Sequence, residues 1–300
     1  MGEGRQTRRA IILALAAILS VRVVVWGEQE GHGERERMND SRQDALVHQM
    51  LTGQIPAARA TTEALGPQAG PVLARMAGHQ NSQVRLLVLE LAPLALSVDS
   101  SRAVISLLQD SNVTVRSVAS SDLAICTQKQ VVPDLVKLLE KKPSTELTVA
   151  LLKQIGIAGD HDNLKDLDPF RNSPNPEVVH QAAVAMAKLG DPAELQRVIN
   201  RLGSLDPNTR VQALRDCQYI GDHGLVRYFG PALDDIRDFM VITPPHMEPV
   251  VMARICDITV QTMAYMGFRF SFPAEFLARF TPIQLEEAKQ MVASMNTATP

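Results

Sequence analysis

Aromatic residues are scarce: 4% of the 300-residue chain, with one Trp and three Tyr. That scarcity argues against a β-sandwich, whose pleated faces favour aromatic and β-branched side chains, and suits closely packed helices. Cysteine is scarce too, with Cys126, Cys217 and Cys256 alone. None has a Cys or His at ligand spacing, so neither a disulfide framework nor a thiolate metal site is implied. Each lies in an apolar helical stretch and reads as a small buried hydrophobe. Beyond residue 27 there is no Lys/Arg cluster, and those residues hold 26 basic against 32 acidic side chains. A nucleic-acid surface needs a basic stripe to neutralise phosphates, and this chain lacks one. Also missing are a Gly-rich phosphate loop, a G-x-S-x-G elbow and an H-E-x-x-H helix. No catalytic, cofactor-binding or metal-binding residue is therefore assigned, no cofactor is expected, and the chain is expected not to be an enzyme. What remains, 45% hydrophobic and 21% charged, is the composition of an ordinary folded protein.

The N-terminus carries an address. Arg5, Arg8 and Arg9 precede an apolar run from Ala10 to Val21, which Arg22 interrupts before Val23 to Trp26 resume it. Basic residues followed by a short apolar run make the layout of a secretory signal. The clean run is shorter than the ~20 residues of a spanning helix. There is no Ala-x-Ala cleavage site, so residues 1–27 read as a signal peptide or an uncleaved membrane anchor. Either way the chain is expected to be exported, periplasmic or extracellular, and to meet the membrane only through this segment. Residues 28–40, polar and without periodicity, read as a charged linker.

A repeat fills most of the chain beyond residue 40. The dipeptide slot Val84-Arg85 returns as Val115-Arg116 after 31 residues, as Leu147-Thr148 after 32, and as Val178-Val179 and Thr209-Arg210 after 31 each. Each unit holds two amphipathic helices, the second beginning at the slot and rich in Ala and Leu. One unit cannot bury two such faces, so neighbours must stack. The expectation is an all-α, right-handed α-solenoid of stacked helical hairpins, about six repeats of ~31 residues. Residues 41–267 form the array, and residues 268–300 form a capping segment. The last repeat is irregular: Ile236 to Pro245 read as an insert, and Met247 to Gly267 as its second helix. Thr281, Pro282 and Glu286 mark the start of a closing helix.

Asp/Asn-Pro-x-Val-Arg, an Ala-rich helix and Leu-Gly-Asp-Pro together resemble the bacterial HEAT repeat, also met in the phycobilisome-lyase group. The resemblance is sharpest from Asn172 to Asp222. It implies a HEAT-like array of an exported type. Enzymes of this fold would be a metal-dependent hydroxylase, which carries paired His-Glu motifs, or a bilin lyase. This chain has no His-Glu dipeptide at all. The resemblance also implies that Arg85, Arg116 and Arg210 pair with turn aspartates, here Asp110 and Asp206.

Three Gly-Asp pairs recur at the same period: Gly159-Asp160, Gly190-Asp191 and Gly221-Asp222. Each glycine falls where a helix ends and φ > 0 is favoured. Each aspartate is a helix N-cap, with Glu194 completing a capping box after Asp191. Helices stack ~8–10 Å apart, whereas metal ligands sit about 2 Å from an ion, so these carboxylates cannot share one centre. They are punctuation. His161, His180 and His223 read as solvated surface side chains.

A partner face is the remaining functional candidate. With the slot's first residue as zero, positions 3, 6, 7 and 10 share one face of each second helix. The third repeat gives Ala150, Lys153, Gln154 and Ile157; the fourth gives Gln181, Val184, Ala185 and Lys188; the fifth gives Gln212, Arg215, Asp216 and Tyr219. Lys153, Gln154, Gln181, Lys188, Gln212, Arg215, Asp216 and Tyr219 are thus the candidate partner-binding residues, on the concave face, for another protein of unknown identity. The expected function is a non-catalytic interaction scaffold; the alternative is a HEAT-like enzyme, lyase or accessory factor.

Overall fold

The computed structural model of the chain describes residues 32–242 and 250–297. The signal or anchor expected over residues 1–27 lies outside them. The described chain is an α-solenoid. It opens with α1 (His32–Leu51), α2 (Ile55–Leu65) and α3 (Gly70–Met76), followed by α4 (Ser82–Ala95), α5 (Val98–Leu107), α6 (Val113–Asp122), α7 (Val132–Glu140) and α8 (Thr145–Ala158). Then come α9 (Leu164–Leu167), α10 (Pro176–Lys188), α11 (Pro192–Leu202), α12 (Pro207–Ile220) and α13 (Gly230–Leu233). A β-hairpin of β1 (Asp238–Ile242) and β2 (Val250–Arg254) precedes α14 (Ile255–Tyr265) and α15 (Pro282–Thr297). Stacked helical pairs result, from α1 with α2 to α13 with α14, the even-numbered helices being the second of each pair.

The second helices α4 to α12 begin at residues 82, 113, 145, 176 and 207, so the sequence period is a period of helix starts. Each start has its own cap. Asn81, Asn112, Ser144, Asn175 and Asp206 are the N-cap residues, and each side chain accepts a hydrogen bond from a first-turn amide. Losing one such cap costs about 1 kcal/mol. Between the helices runs a continuous apolar core. Leu135, Leu151, Leu152 and Ile155 are wholly buried within it, each worth about 1.5–3 kcal/mol of burial. Helix α10 joins two core clusters: Ala182, Ala185 and Met186 face the first, Val184 and Ala187 the second.

The Gly-Asp pairs sit at helix boundaries. Gly190 and Gly221 have φ of 94° and 74°, the left-handed conformation that favours glycine. Gly159 does not, with φ −85°. Its constraint is space instead: a Cβ there would lie 2.6 Å from the Ile155 carbonyl oxygen and 2.8 Å from Asn163 Oδ1. Asp160, Asp191 and Asp222 each cap the next helix, accepting from the amides of Asp162, Ala193 and Gly224 respectively. Glu194 does not complete a box. It is buried and faces Arg171 and Arg197, while the aspartate cap takes the Glu194 amide at 3.1 Å.

The arginine ladder follows a rule other than the one expected. Arg85 forks onto Asp110 at 2.5 and 2.8 Å. Arg210 pairs with Asp235, not Asp206, which caps α12 through the Thr209 amide and hydroxyl. In both pairs the aspartate lies 25 residues after the arginine. The same offset from Arg116 reaches Lys141, and Arg116 instead donates to the carbonyls of Asp110 and Ser111. From Thr148 and Val179 it reaches Ser173 and Ser204, which keep the turn hydrogen bond to the amide two residues on and drop the ion pair.

Two other expectations change. The helix α1 starts at His32, inside the stretch expected to be a linker, whose Glu, Arg and Met residues have high helix propensity. The second helix of the last repeat starts at Ile255, because Val250–Arg254 pairs antiparallel with Asp238–Ile242, Asp238 opposite Arg254. Its two β-branched residues, Val250 and Val251, favour a strand. The closing helix starts at Pro282 as expected, and Gln284 closes a capping box at Thr281: its Oε1 accepts from the Thr281 amide at 2.8 Å, and its own amide donates to Thr281 Oγ1 at 3.4 Å. Helix α15 then buries Leu285, Ala288 and Val292 over the end of the array, behind a Phe270–Phe272–Phe280 cluster.

Candidate functional site

The second helices carry an open groove of about 570 Å³. Ser120 and Ser121 of α6, with Leu123 and Ala124 just beyond, form one end. Ala150, Lys153, Gln154 and Ile157 of α8 form the floor, and Arg215, Gln218 and Tyr219 of α12 the far wall. Tyr265 of α14 closes that end while remaining 75% exposed. All four face positions of the third repeat line it, as do Arg215 and Tyr219 of the fifth.

The fourth repeat contributes nothing to the lining, and Tyr219 is the reason. Its phenol crosses α10 and donates to the Lys153 carbonyl of α8 at 2.6 Å. Small residues make room: a Cβ on Gly156 would stand 2.1 Å from the Tyr219 hydroxyl and 3.0 Å from Ala185 Cβ. Lys188 braces the same ring from below. Its Nζ lies 5.3 Å from the ring centroid and donates to the Tyr219 and Ile220 carbonyls at 2.8 and 2.9 Å, satisfying the C-terminal end of α12. Burial pushes the Tyr219 hydroxyl up and the Lys188 ammonium down from their ordinary values. Tyr219 and Lys188 are therefore a strut between repeats, not a free aromatic beside a free cation.

Other candidates are also corrected. Gln154 is buried, and its Nε2 donates to the Cys126 carbonyl at 2.8 Å. Asp216 is buried too. It accepts from Arg201 at 2.7 Å and Gln212 at 3.1 Å, with His180 Nε2 3.1 Å away. That cluster ties α10, α11 and α12 together, so Gln212 and His180 serve packing. Gln181 is half-buried on the recessed helix. His223 packs on Phe268, ring centroids 5.4 Å apart. The three thiols are buried, Cys126 pushed up to about 12 by that burial. Among the described residues no group of His, Cys, Asp and Glu is arranged to hold a metal.

Lys153 and Arg215 are left. Both are exposed, and neither makes an ion pair or side-chain hydrogen bond with a described residue. Elsewhere Arg85, Arg171, Arg201, Arg210 and Arg254 all face carboxylates. Among the described residues no acidic side chain lines the groove, although the chain carries a net charge of −3. It is a cationic, partly apolar trough in an acidic protein.

Ser120, Leu123, Ala124, Gln218 and Tyr265 escaped the positional rule. On α14 the lining face is Ile258, Gln261, Thr262 and Tyr265, a regular i, i+3, i+4, i+7 stripe. It is displaced because the hairpin delays the start of α14 to 48 residues after that of α12.

No family model matches the chain, and no curated protein matches it. Among solved structures it is similar to the complex of CpcE and CpcF of phycocyanin lyase from Nostoc sp. PCC7120, with 15% identity and a TM-score of 0.44. That likeness covers 92% of this chain and 98% of the other. One expectation is corrected on this finding. A lyase stands among the structures this chain resembles, so the expectation that it is not an enzyme is withdrawn.

Proposed function

We propose that the groove on the second helices binds an extended, acidic segment of a partner protein. One observation carries the reading: among the described residues, Lys153 and Arg215 are exposed without an ion-pair partner, in a trough with no acidic lining. Unpaired cations on an otherwise acidic protein steer and orient an anionic partner. The trough has the volume of a small-molecule site but is open, with Tyr265 largely in solvent, whereas such sites enclose most of their ligand's surface. An aromatic beside cations over apolar ground is instead the make-up of a protein-binding patch.

The test is a selection of random decapeptides displayed on phage against the purified full chain, with a Lys153→Glu, Arg215→Glu chain as counter-screen. Peptides rich in Asp and Glu are expected on the native chain and not on the variant. Enrichment without acidic residues, or equal binding by both chains, refutes the reading.

The alternative set out from the sequence, a lyase or accessory factor on the same scaffold, requires in addition that the bound partner leave chemically altered. Intact-mass measurement of a captured partner before and after incubation separates the two. Export belongs to the same proposal, supported by the basic-then-apolar stretch at residues 5–26. A phosphatase fusion that is active only when residues 1–27 are kept is the expected result; equal activity without them contradicts it.

A further inference from the structure

The groove continues beyond Arg215 into a second hollow of about 270 Å³, between α12, α14, β1 and the segment after α14. Arg215, Gln218 and Tyr265 line both. Its walls are mainly apolar, with Ile258, Phe276 and Leu277 among them. Leu277 has φ 63°, a left-handed conformation that costs a branched residue roughly 1–2 kcal/mol and here places it in the wall. One polar atom stands out. Gln261 Nε2 is buried and has no hydrogen-bond acceptor among the described residues. Its neighbours are satisfied: Gln218 Nε2 donates to Thr262 Oγ1 at 3.0 Å, and Thr262 Oγ1 donates to the Ile258 carbonyl at 2.9 Å. An orphaned buried donor costs roughly 1–3 kcal/mol, and an apolar hollow that keeps one is shaped for an acceptor brought by something else. The hollow is smaller than the ~300–1,000 Å³ of small-molecule sites, and it shares a wall with the cationic trough. It is therefore the end of the same site.

We infer that this hollow is the specificity pocket of the groove: it seats one aliphatic side chain of the bound segment, whose backbone carbonyl accepts from Gln261 Nε2 while a nearby carboxylate of that segment meets Arg215. The inference rests on the binding function proposed above. It adds that recognition requires an acidic residue and an aliphatic residue at a fixed offset, not acidity alone. Extended segments suit this arrangement, because alternate side chains reach pockets while the backbone supplies carbonyls.

The same decapeptide selection tests it, read for an aliphatic position at constant distance from Asp or Glu. The best enriched decapeptide, labelled with fluorescein, is then titrated by fluorescence anisotropy against the native chain, Gln261→Met and Arg215→Glu. Gln261→Met keeps the length of the side chain and removes the donor. It is expected to weaken binding about tenfold, the worth of one hydrogen bond to a buried donor, while leaving the melting temperature unchanged or raised. A side chain with a merely structural role would lower the melting temperature and leave affinity alone. Replacing the aliphatic residue of the peptide by Ser is expected to weaken binding to the native chain and to have less effect on Gln261→Met. If Arg215→Glu abolishes binding while Gln261→Met and the Ser peptide do not weaken it, the pocket is wrong and the groove stands. If Arg215→Glu binds as well as the native chain, or no decapeptide is enriched, both fall.

Discussion

Repeat four offers a natural experiment on the arginine ladder, and transplanting it into repeat five gives a quantitative test. Where Arg210 and Asp235 pair, the preceding repeat carries Val179 and Ser204 at the equivalent positions. The side chains of Arg210 and Asp235 are 7% and 4% exposed. Asp235→Ser alone leaves Arg210 with the Leu202 carbonyl at 3.1 Å as its remaining acceptor. A buried charge stripped of its partner costs about 3–5 kcal/mol, a large share of the 5–15 kcal/mol of a typical fold. Arg210→Val alone is milder, because Asp235 keeps a bidentate contact to Arg237 at 2.7 and 2.8 Å; about 1–2 kcal/mol is expected from the lost ion pair and stem. The double variant removes both buried charges and frees Arg237, which is half exposed and costs little unpaired. It should therefore sit close to Arg210→Val in stability, far from the summed cost of the singles, with a coupling about equal to the cost of Asp235→Ser, roughly 3–5 kcal/mol. Urea unfolding followed by far-ultraviolet circular dichroism on the four chains measures each term. Additivity within about 0.5 kcal/mol, or a cost below about 1 kcal/mol for Asp235→Ser, would sink the claim that this pair locks the last two repeats.

Acid should act through the same pairs. Hydrogen bonds from Arg85 hold Asp110 below the usual carboxylate range, and Arg237, then Arg210, do so for Asp235. A depressed native pKa contributes stability that is complete above the unfolded value near 3.9 and is lost as pH falls below it; urea midpoints should hold from pH 7 to 5 and drop below pH 4, less steeply in the double variant. An equal acid slope in both chains contradicts this. Tyr219→Phe removes the hydroxyl that reaches Lys153 and should cost about 1 kcal/mol by urea unfolding, with no loss of peptide affinity if the residue is a strut. Gly156→Ala drives a methyl into that hydroxyl; despite a helix-propensity gain of about 1 kcal/mol it should destabilise, by overpacking worth about 1–3 kcal/mol, and should destabilise less in a Tyr219→Ala chain. The three thiols should be inert to an aromatic disulfide reagent at pH 8 and all react in urea, since burial raises each; fast reaction of the native chain would place one at the surface.

The period was legible because its cause is local. Caps such as Asn112 and Asp206 act on amides two or three residues away, so a helix start is written within five positions of itself. Faces are not local. The positional rule treated α8, α10 and α12 alike, yet Tyr219 bridges α10 and Asp216 turns inward to Arg201, outcomes settled by neighbours 66 and 15 residues off. The arginine partner was missed for the same reason. Asp206 is near Arg210 in sequence, but the ion pair closes across the stack, 25 residues on. The hairpin was missed because Val250 to Ala253 is apolar throughout and only Arg254 separates it from the apolar start of the helix at Ile255, where spacing alone cannot separate strand from helix. That error moved the register of α14 and hid Gln261 and Tyr265. It also explains why the pocket sits there. The regular array offers the same face repeat after repeat, whereas the insert changes what borders the last helix. A recognition site needs something the other repeats do not have, and the pocket proposed for it lies where the period fails.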